Sequence, residues 1–325
     1  LTGLAWGVSL GSACHLLVQL PVIWNLGWRY QAVLDWKNKQ LQLIYKMMTA
    51  RTLSLVINQV NLLVETIFAS TLVSGSLAVF NLANNLQSFP VGIFGLSFAI
   101  AAFPAIAASA FDKERLVYYF SKTLRQIFYF IIPSTVVLIL LRAQIVRLVL
   151  GSGKFDWNDT ILTMNTLTFF ALSLFAQATI PLLVRFYYAR HDSRTPLYLG
   201  LIASVVNIVL NYYLVHSSLG VAALALSFSL SSIVQFALLF IFLRIELGSL
   251  DEGLLFKSIG KMLLAASAAG LVIQLMKTWL GFSLEISFGW QLLLQFVLPA
   301  STGLAVYGIV TYWLKSPEIL NLLKH

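Results

Sequence analysis

Charge is what this 325-residue sequence has least of: Asp, Glu, Lys and Arg make up 10% of it, against 59% hydrophobic residues and a mean hydropathy of +0.86. A chain so poor in charge cannot clothe a globule in water, which excludes a soluble domain. Cysteine occurs once, as Cys14, so no internal disulfide can form, and its small side chain is expected to be buried. The four histidines, His15, His191, His216 and His325, are scattered, and ordinary polar or capping roles account for them. No Cys/His cluster has metal-ligand spacing, so no transition-metal site is expected. Nor is there a nucleophile elbow, a phosphate loop, an H-E-x-x-H string or a pair of catalytic carboxylates. Transport is therefore expected rather than enzyme chemistry; a membrane transferase using a few polar groups is the enzymatic alternative. The sequence opens inside an apolar run with neither a Met nor a basic leader, and an N-terminal truncation is the expectation.

Long apolar runs are what it has instead. Runs bounded by charged or Gly/Pro-rich turns fall at 2–26, 51–73, 77–110, 121–141, 160–188, 196–215, 219–243, 256–279 and 288–314. Since about 20 apolar residues cross the hydrocarbon as a helix, the expectation is an all-α polytopic membrane protein of about nine transmembrane helices. Between the first two runs, residues 28–48 interleave Trp, Leu, Ile and Tyr with Arg29, Lys37, Lys39 and Lys46, as an amphipathic helix lying on the membrane would. After residues 144–150, a short interfacial helix, GSGKFDWNDT reads as a glycine turn and a helix cap at Asn158 or Asp159.

Basic residues fix the expected orientation. If alternate connections starting with 27–50 face the cytoplasm, seventeen of the 21 Lys and Arg residues lie on that side. Arg142, Arg147, Lys154 and Lys277 are the four that do not. This bias puts the C-terminus in the cytoplasm and attributes the basic composition to orientation and anionic lipid, not to nucleic acid.

The most informative stretch is 51–111, because it is apolar yet carries groups a membrane rejects. Glu65 falls inside a spanning helix, where a carboxylate costs about 2.5–3.5 kcal/mol on insertion scales, so it should face a cavity, a cation or a partner. Asn58, Gln59 and Asn61 share its helix, and Asn81, Asn84, Asn85 and Gln87 lie on the next. Pro90 and Pro104, with Gly92 and Gly95 between them, free backbone carbonyls and mark candidate hinges. Together these read as the wall of a hydrated path; the alternative is that the amides only join helix to helix. Later, Asn207 and Asn211 sit four apart on one helix face, and the following run offers Ser227, Ser229, Ser231 and Ser232. Oxygen-rich groups with one carboxylate suit a small hard cation such as Na⁺. The last two runs hold little polarity besides Gln274, Gln291 and Gln295, and read as scaffold.

Several strings then resemble one family. GLAWG and HLLVQLP within 3–21, ARTLSL and INQVNLLVETIFAS within 50–70, and NLANNLQSFPVGIFGLSFAIAAFPAIAASA at 81–110 resemble the MurJ (MviN) lipid II flippases. GSGKFDWNDT at 151–160 and RFYYARHDSRTP at 185–196 do the same, in order along nearly the whole chain. The resemblance implies the multidrug/oligosaccharidyl-lipid/polysaccharide exporter superfamily, with fourteen spans in two lobes of six and a final pair. On that scheme residues 1–27 are the last helix of the N-lobe, 28–50 a cytoplasmic amphipathic linker helix, 51–244 the C-lobe bundle, and 245–325 the two C-terminal helices and a short tail. The implied job is moving undecaprenyl-pyrophosphate-linked disaccharide pentapeptide to the outer leaflet by alternating access, in the bacterial inner membrane. Lipid II, membrane lipids and cell-wall synthesis proteins are the implied partners; no cofactor is implied beyond a Na⁺ coupling ion or the membrane potential. By position Glu65, Asn207, Asn211 and Ser227 match the family's Na⁺ site. The sequence departs from the pattern where Asn85 stands at a position that many relatives give to Arg, and where Ala50 replaces a usual Pro. Arg51 is then the best cationic candidate for the substrate path, with a positive-inside anchor as its alternative role. Another polyprenyl-linked saccharide, a drug, or a scaffold role for cell-wall enzymes are the competing functions.

Overall fold

The computed structural model describes residues 2–27, 35, 37–151, 155–283 and 289–322, and all their regular structure is helical. The elements are α1 (Thr2–Asn25), α2 (Lys39–Ser70), α3 (Ser76–Pro90), a π-helical segment (Val91–Leu96), α4 (Ser97–Ala108), α5 (Lys113–Leu140) and α6 (Arg142–Leu150). They continue with α7 (Trp157–Leu172), α8 (Leu174–Ala189), α9 (Arg194–Leu214), α10 (Ala222–Leu247), α11 (Glu252–Ser283), α12 (Trp290–Trp313) and α13 (Pro317–Leu322). Among the described residues, seven helices are long and apolar enough to cross a membrane, taking Ser76–Ala108 as one, and eight if the bent pair α7 and α8 is a single span. Leu55–Ser70 of α2 is a shorter apolar stretch, and counting it approaches the expected nine.

Contacts divide the chain into Leu1–Met47 and Met48–His325. In the first unit, α1 has none of its apolar window buried, and Cys14 is exposed rather than buried as expected, because no other described element of its own unit packs broadly on that helix. Of the anticipated amphipathic helix, residues 28–34 and 36 lie outside the described residues, whereas Lys39 onward is helical. Asp35 accepts a hydrogen bond from the Lys37 amide at 3.1 Å in the turn before it. No helix break marks the expected boundary at residue 50, because α2 runs on to Ser70.

The second unit is a bundle in which α8 packs on the π segment, α4, α5 and α10, while α10 also packs on α7 and α9. Its core holds Phe120, Leu124, Leu167, Phe170, Phe186 and Tyr187, all essentially inaccessible. Helix starts follow local chemistry. Asp112 caps α5 by accepting from the Arg115 amide at 3.2 Å. The cap of α7 is Asp156, not Asn158 or Asp159. Asp156 accepts from the Asp159 amide at 2.8 Å while the Asp159 carboxylate accepts from the Asp156 amide at 3.1 Å, a reciprocal pair that one cap further along could not form.

Two helix irregularities dictate side-chain partners. Pro133 in α5 has no N–H for the carbonyl four residues back, and that carbonyl, of Tyr129, accepts instead from the Tyr307 hydroxyl of α12 at 2.9 Å. The expected single span at 160–188 bends by 48° at Ser173. There the Ser173 amide turns to Phe170 and leaves the Phe169 carbonyl to the Ser229 hydroxyl of α10, at 2.7 Å. Gln177 Nε2 donates to Ser173 Oγ at 2.7 Å and Ser173 Oγ to Ser229 Oγ at 2.9 Å, so the break is closed by a relay of polar side chains. At the C-terminal end, the buried Glu318 carboxylate accepts from Arg125, Ser258 and Ser316, pinning α13 to α5 and α11.

Among the candidate hinges, Pro90 opens the π segment, within which Gly92 and Gly95 lie; Pro104 sits inside α4, which runs through it. Ser97 Oγ donates to the Gly92 carbonyl at 3.1 Å. A methyl group on Gly95 would stand 2.5 Å from the Ala178 carbonyl oxygen of α8, whereas one on Gly92 would meet nothing within 4 Å. Gly95→Ala should therefore lower stability by about 1–3 kcal/mol through forced separation of the π segment from α8. Gly92→Ala should be neutral or stabilising, by up to about 1 kcal/mol. Thermal unfolding of both variants in detergent checks the contrast.

Candidate functional site

Polar side chains from four helices of the second unit converge on a cavity of about 800 Å³. On α2, Asn61 and Glu65 are four apart and share a face. On α9, Ser204 and Asn207 line the cavity, and Asn211 lies one turn beyond. On α10, Ser231, Ser232 and Gln235 line it, and α8 adds Gln177, Arg185 and Tyr188. Apolar groups from the π segment and α4, Val91, Leu96 and Phe103, complete the wall.

Hydrogen bonds tie these elements together. Ser204 Oγ donates to Asn61 Oδ1, joining α9 to α2. Asn207 Nδ2 donates to Ser231 Oγ at 3.2 Å, joining α9 to α10, and Asn211 Nδ2 donates to Asn207 Oδ1 at 2.8 Å. Asn211 is wholly buried, yet its Oδ1 has no hydrogen-bond partner. Glu65 is 6% exposed, and no described residue hydrogen-bonds or ion-pairs its carboxylate. A buried carboxylate and a buried orphan carbonyl are both acceptors in want of positive charge or a donor.

Of the predicted residues, Glu65, Asn61 and Asn207 reach this cavity and Asn211 adjoins it. Ser227 is buried in α10 and donates to the Ala223 carbonyl at 3.0 Å, while Ser231, one turn on, is the serine that meets Asn207. The α3 amides are not among the lining residues. Asn81 and Asn85 are exposed, and Asn84 Oδ1 accepts from Gln87 Nε2 at 2.9 Å. Gln87 is buried with its Oε1 unpartnered. The side chains of Arg51 and Asn58 lie outside the described residues. Sequence reasoning took Arg185 only as an orientation signal, yet it is a cation of the cavity wall. Its place in RFYYARHDSRTP, one turn after Pro181 and two after Gln177 on α8, was the available signal.

A second cavity, of about 960 Å³, is a long apolar groove lined by α5, α10 and α11 with Phe175 of α8. Its α11 lining runs from Leu255 to Gln274, about 29 Å at 1.5 Å per residue, which matches a hydrocarbon core about 30 Å thick. Glu252, ion-paired with Arg244 at 2.7 Å, stands at one end; Leu140 and Gln274 stand at the other. The α11 helix, expected to be scaffold, lines this groove. An apolar groove wall and a lipid-facing surface carry the same residues, so the sequence could not separate them.

The sequence model described as Lipid II flippase MurJ matches residues 1–293. A protein named probable lipid II flippase MurJ from Thermotoga maritima is 31% identical over 275 residues, covering 84% of this chain and 54% of that protein. One of the same name from Buchnera aphidicola subsp. Acyrthosiphon pisum is 30% identical over 238 residues, covering 73% and 46%. A solved structure described as lipid II flippase MurJ in an inward closed conformation superposes with a TM-score of 0.68 at 22% identity, covering 87% of this chain and 56% of that one. The chain spans about half the length of the curated relatives it matches.

The hydrogen-bond geometry separates two of the predicted residues. Asn207→Leu removes partners from both Asn211 and Ser231 and should cost about 1–2 kcal/mol, the upper part of what interhelical polar contacts contribute in membranes. Ser227→Ala loses only a bond within its own helix and should change stability by less than about 0.5 kcal/mol. Unfolding midpoints in detergent would distinguish the two.

Proposed function

The chain belongs to the Lipid II flippase MurJ family, a family of transporters rather than enzymes, and from that premise we propose that it forms the cavity-bearing lobe of a lipid II flippase. The cargo would be a saccharide on a polyprenyl diphosphate, carried from the inner to the outer leaflet of the bacterial plasma membrane by alternating access. The observation that carries this reading is the polar cavity of about 800 Å³ enclosed by apolar helices, with Glu65 and Arg185 both in its wall. A fixed carboxylate at membrane depth favours a bound cation or a proton, and a guanidinium favours an anionic cargo group.

The donor set suits Na⁺. Glu65, Asn61, Asn207 and the orphan Oδ1 of Asn211 are all oxygen ligands, with Ser204 and Ser231 holding the amides in place, and a small hard cation takes such ligands readily. Binding there would offset the carboxylate's charge and tie α2 to α9, so cation occupancy and the position of α2 would be linked. Sodium, or the membrane potential acting on the same charge, is the drive we assign. Arg185 takes the cationic role first assigned to Arg51. The groove of about 960 Å³ supports a long polyprenyl chain over a compact drug. The distribution of Lys and Arg supports a cytoplasmic C-terminus.

The test is expression of the full-length gene in a flippase-depleted bacterium with lipid II in the outer leaflet assayed directly. Restored export and growth are the expected result; expression in the membrane without export would move the cargo to another polyprenyl-linked saccharide. Glu65→Gln should abolish any dependence of export on Na⁺ and lower the rate at least about tenfold, since the loss of one buried charged contact is worth roughly that factor. An unchanged rate and unchanged Na⁺ response would remove Glu65 from the cation site.

A further inference from the structure

The apolar groove ends at a pair of cations that the transport reading does not use. Lys277 lies on α11 three residues beyond Gln274, hence one turn further on the same face. Its Nζ donates to the Leu140 carbonyl at 2.9 Å, and Leu140 itself lines the groove. Arg142 opens α6 two residues after Leu140, and its guanidinium donates to Thr168 Oγ1 of α7 at 2.8 Å. Arg142 is also close enough to act electrostatically on Lys277.

Neither cation has a carboxylate partner among the described residues. Arg115, Arg125, Arg190 and Arg244 each have one. The ammonium keeps two of its three donors and the guanidinium four of its five. Two like charges that act on each other near the rim of an apolar cavity repel, and an anion placed between them removes the repulsion while accepting those donors. Lys277 and Arg142 are moreover two of the four basic residues on the side of the membrane that the rest of the sequence keeps poor in Lys and Arg. Orientation gives no reason for them there.

We propose that Lys277 and Arg142 form an anion site for the diphosphate of a polyprenyl lipid whose chain lies in the adjoining groove. The inference rests on reading that groove as the path of the chain. Length selects the occupant. The groove runs about 29 Å, whereas the acyl chains of a membrane phospholipid reach about half of a 30 Å hydrocarbon core, roughly 15 Å. A polyprenyl chain is long enough to fill it, and a diphosphate carries enough charge to engage both cations at once. Arg142 supplies a planar fork suited to phosphate oxygens, and Lys277 a compact charge already oriented by the Leu140 carbonyl.

The experiment is equilibrium binding to the purified protein in nanodiscs, with undecaprenyl diphosphate, undecaprenol, inorganic diphosphate and phosphatidylglycerol as separate probes. Undecaprenyl diphosphate should bind, and Arg142→Gln and Lys277→Gln should each weaken it about tenfold, the worth of a charge-assisted contact. Undecaprenol should bind alike to wild type and variants, and Lys277→Arg should keep most of the diphosphate affinity. Lys277→Gln also removes a cap on α5, so Arg142→Gln, checked for an unaltered unfolding midpoint, carries the test if the former does not fold. Three results would each overturn the proposal: no binding of undecaprenyl diphosphate to wild type, unchanged affinity in Arg142→Gln, or equally tight phosphatidylglycerol, which would make this a phospholipid site. Inorganic diphosphate binding as tightly as the lipid would overturn the part assigned to the groove. Lipid II export in cells is scored independently, so a failure of export with this binding pattern intact would count against the transport reading alone.

Discussion

A polar group inside hydrocarbon has no water to turn to, and two irregularities of this bundle are each matched by a side chain that supplies what the backbone has lost. The Pro133 defect is met by Tyr307, and the break at Ser173 by Ser229 and Gln177. Tyr307 and Ser229 each come from another helix, so these two defects double as cross-links between helices. The α12 helix is tied to α5 where proline removed a bond, and α10 is tied to α7 where the chain bends. Where no such bond exists, contact depends on backbone approach, as at Gly95 against Ala178. Hydrophobic burial contributes little to this choice of partners, because lipid solvates an apolar helix as well as another helix does.

The same constraint explains what could be read in the sequence. Glu65, Asn61 and Asn207 stood out because each is costly in an apolar helix unless something nearby accepts it, and all three line the cavity. Helix positions were legible from run length and punctuation, and so was a perturbation after Pro90. The register of the site on α10 was not. Ser227, Ser229, Ser231 and Ser232 crowd one run, and only the rotation of α10 against α9 selects Ser231 as the partner of Asn207. The bend at Ser173 was also hidden, since it has neither Pro nor Gly and depends on hydroxyls from another helix.

What stayed wholly invisible was the groove. Its lining, with Phe128, Ile132, Phe236 and Leu263 among it, is indistinguishable in sequence from residues that face lipid. Charge could have hinted at its end. Lys277 and Arg142 broke the pattern of basic residues, and the exception gained a location only when the fold brought both to Leu140.

The two cavities share walls, and this constrains how the lobe can work. On α8, Phe175 lines the groove while Gln177, Ile180 and Arg185 line the polar cavity; on α10, Phe236 and Phe240 line the groove while Ser231, Ser232 and Gln235 line the cavity. Neighbours such as Gln235 and Phe236 lie about 100° apart around a helix of 3.6 residues per turn, so they serve different spaces from one backbone. A rotation or shift of α10 that tightens Asn207 on Ser231 therefore moves Phe236 and Phe240 in the groove by a similar amount. Because helices are close-packed and far stiffer than the side chains between them, that displacement cannot be absorbed locally. A ligand bound in either space would for this reason act on the other through α8 and α10, which wall both.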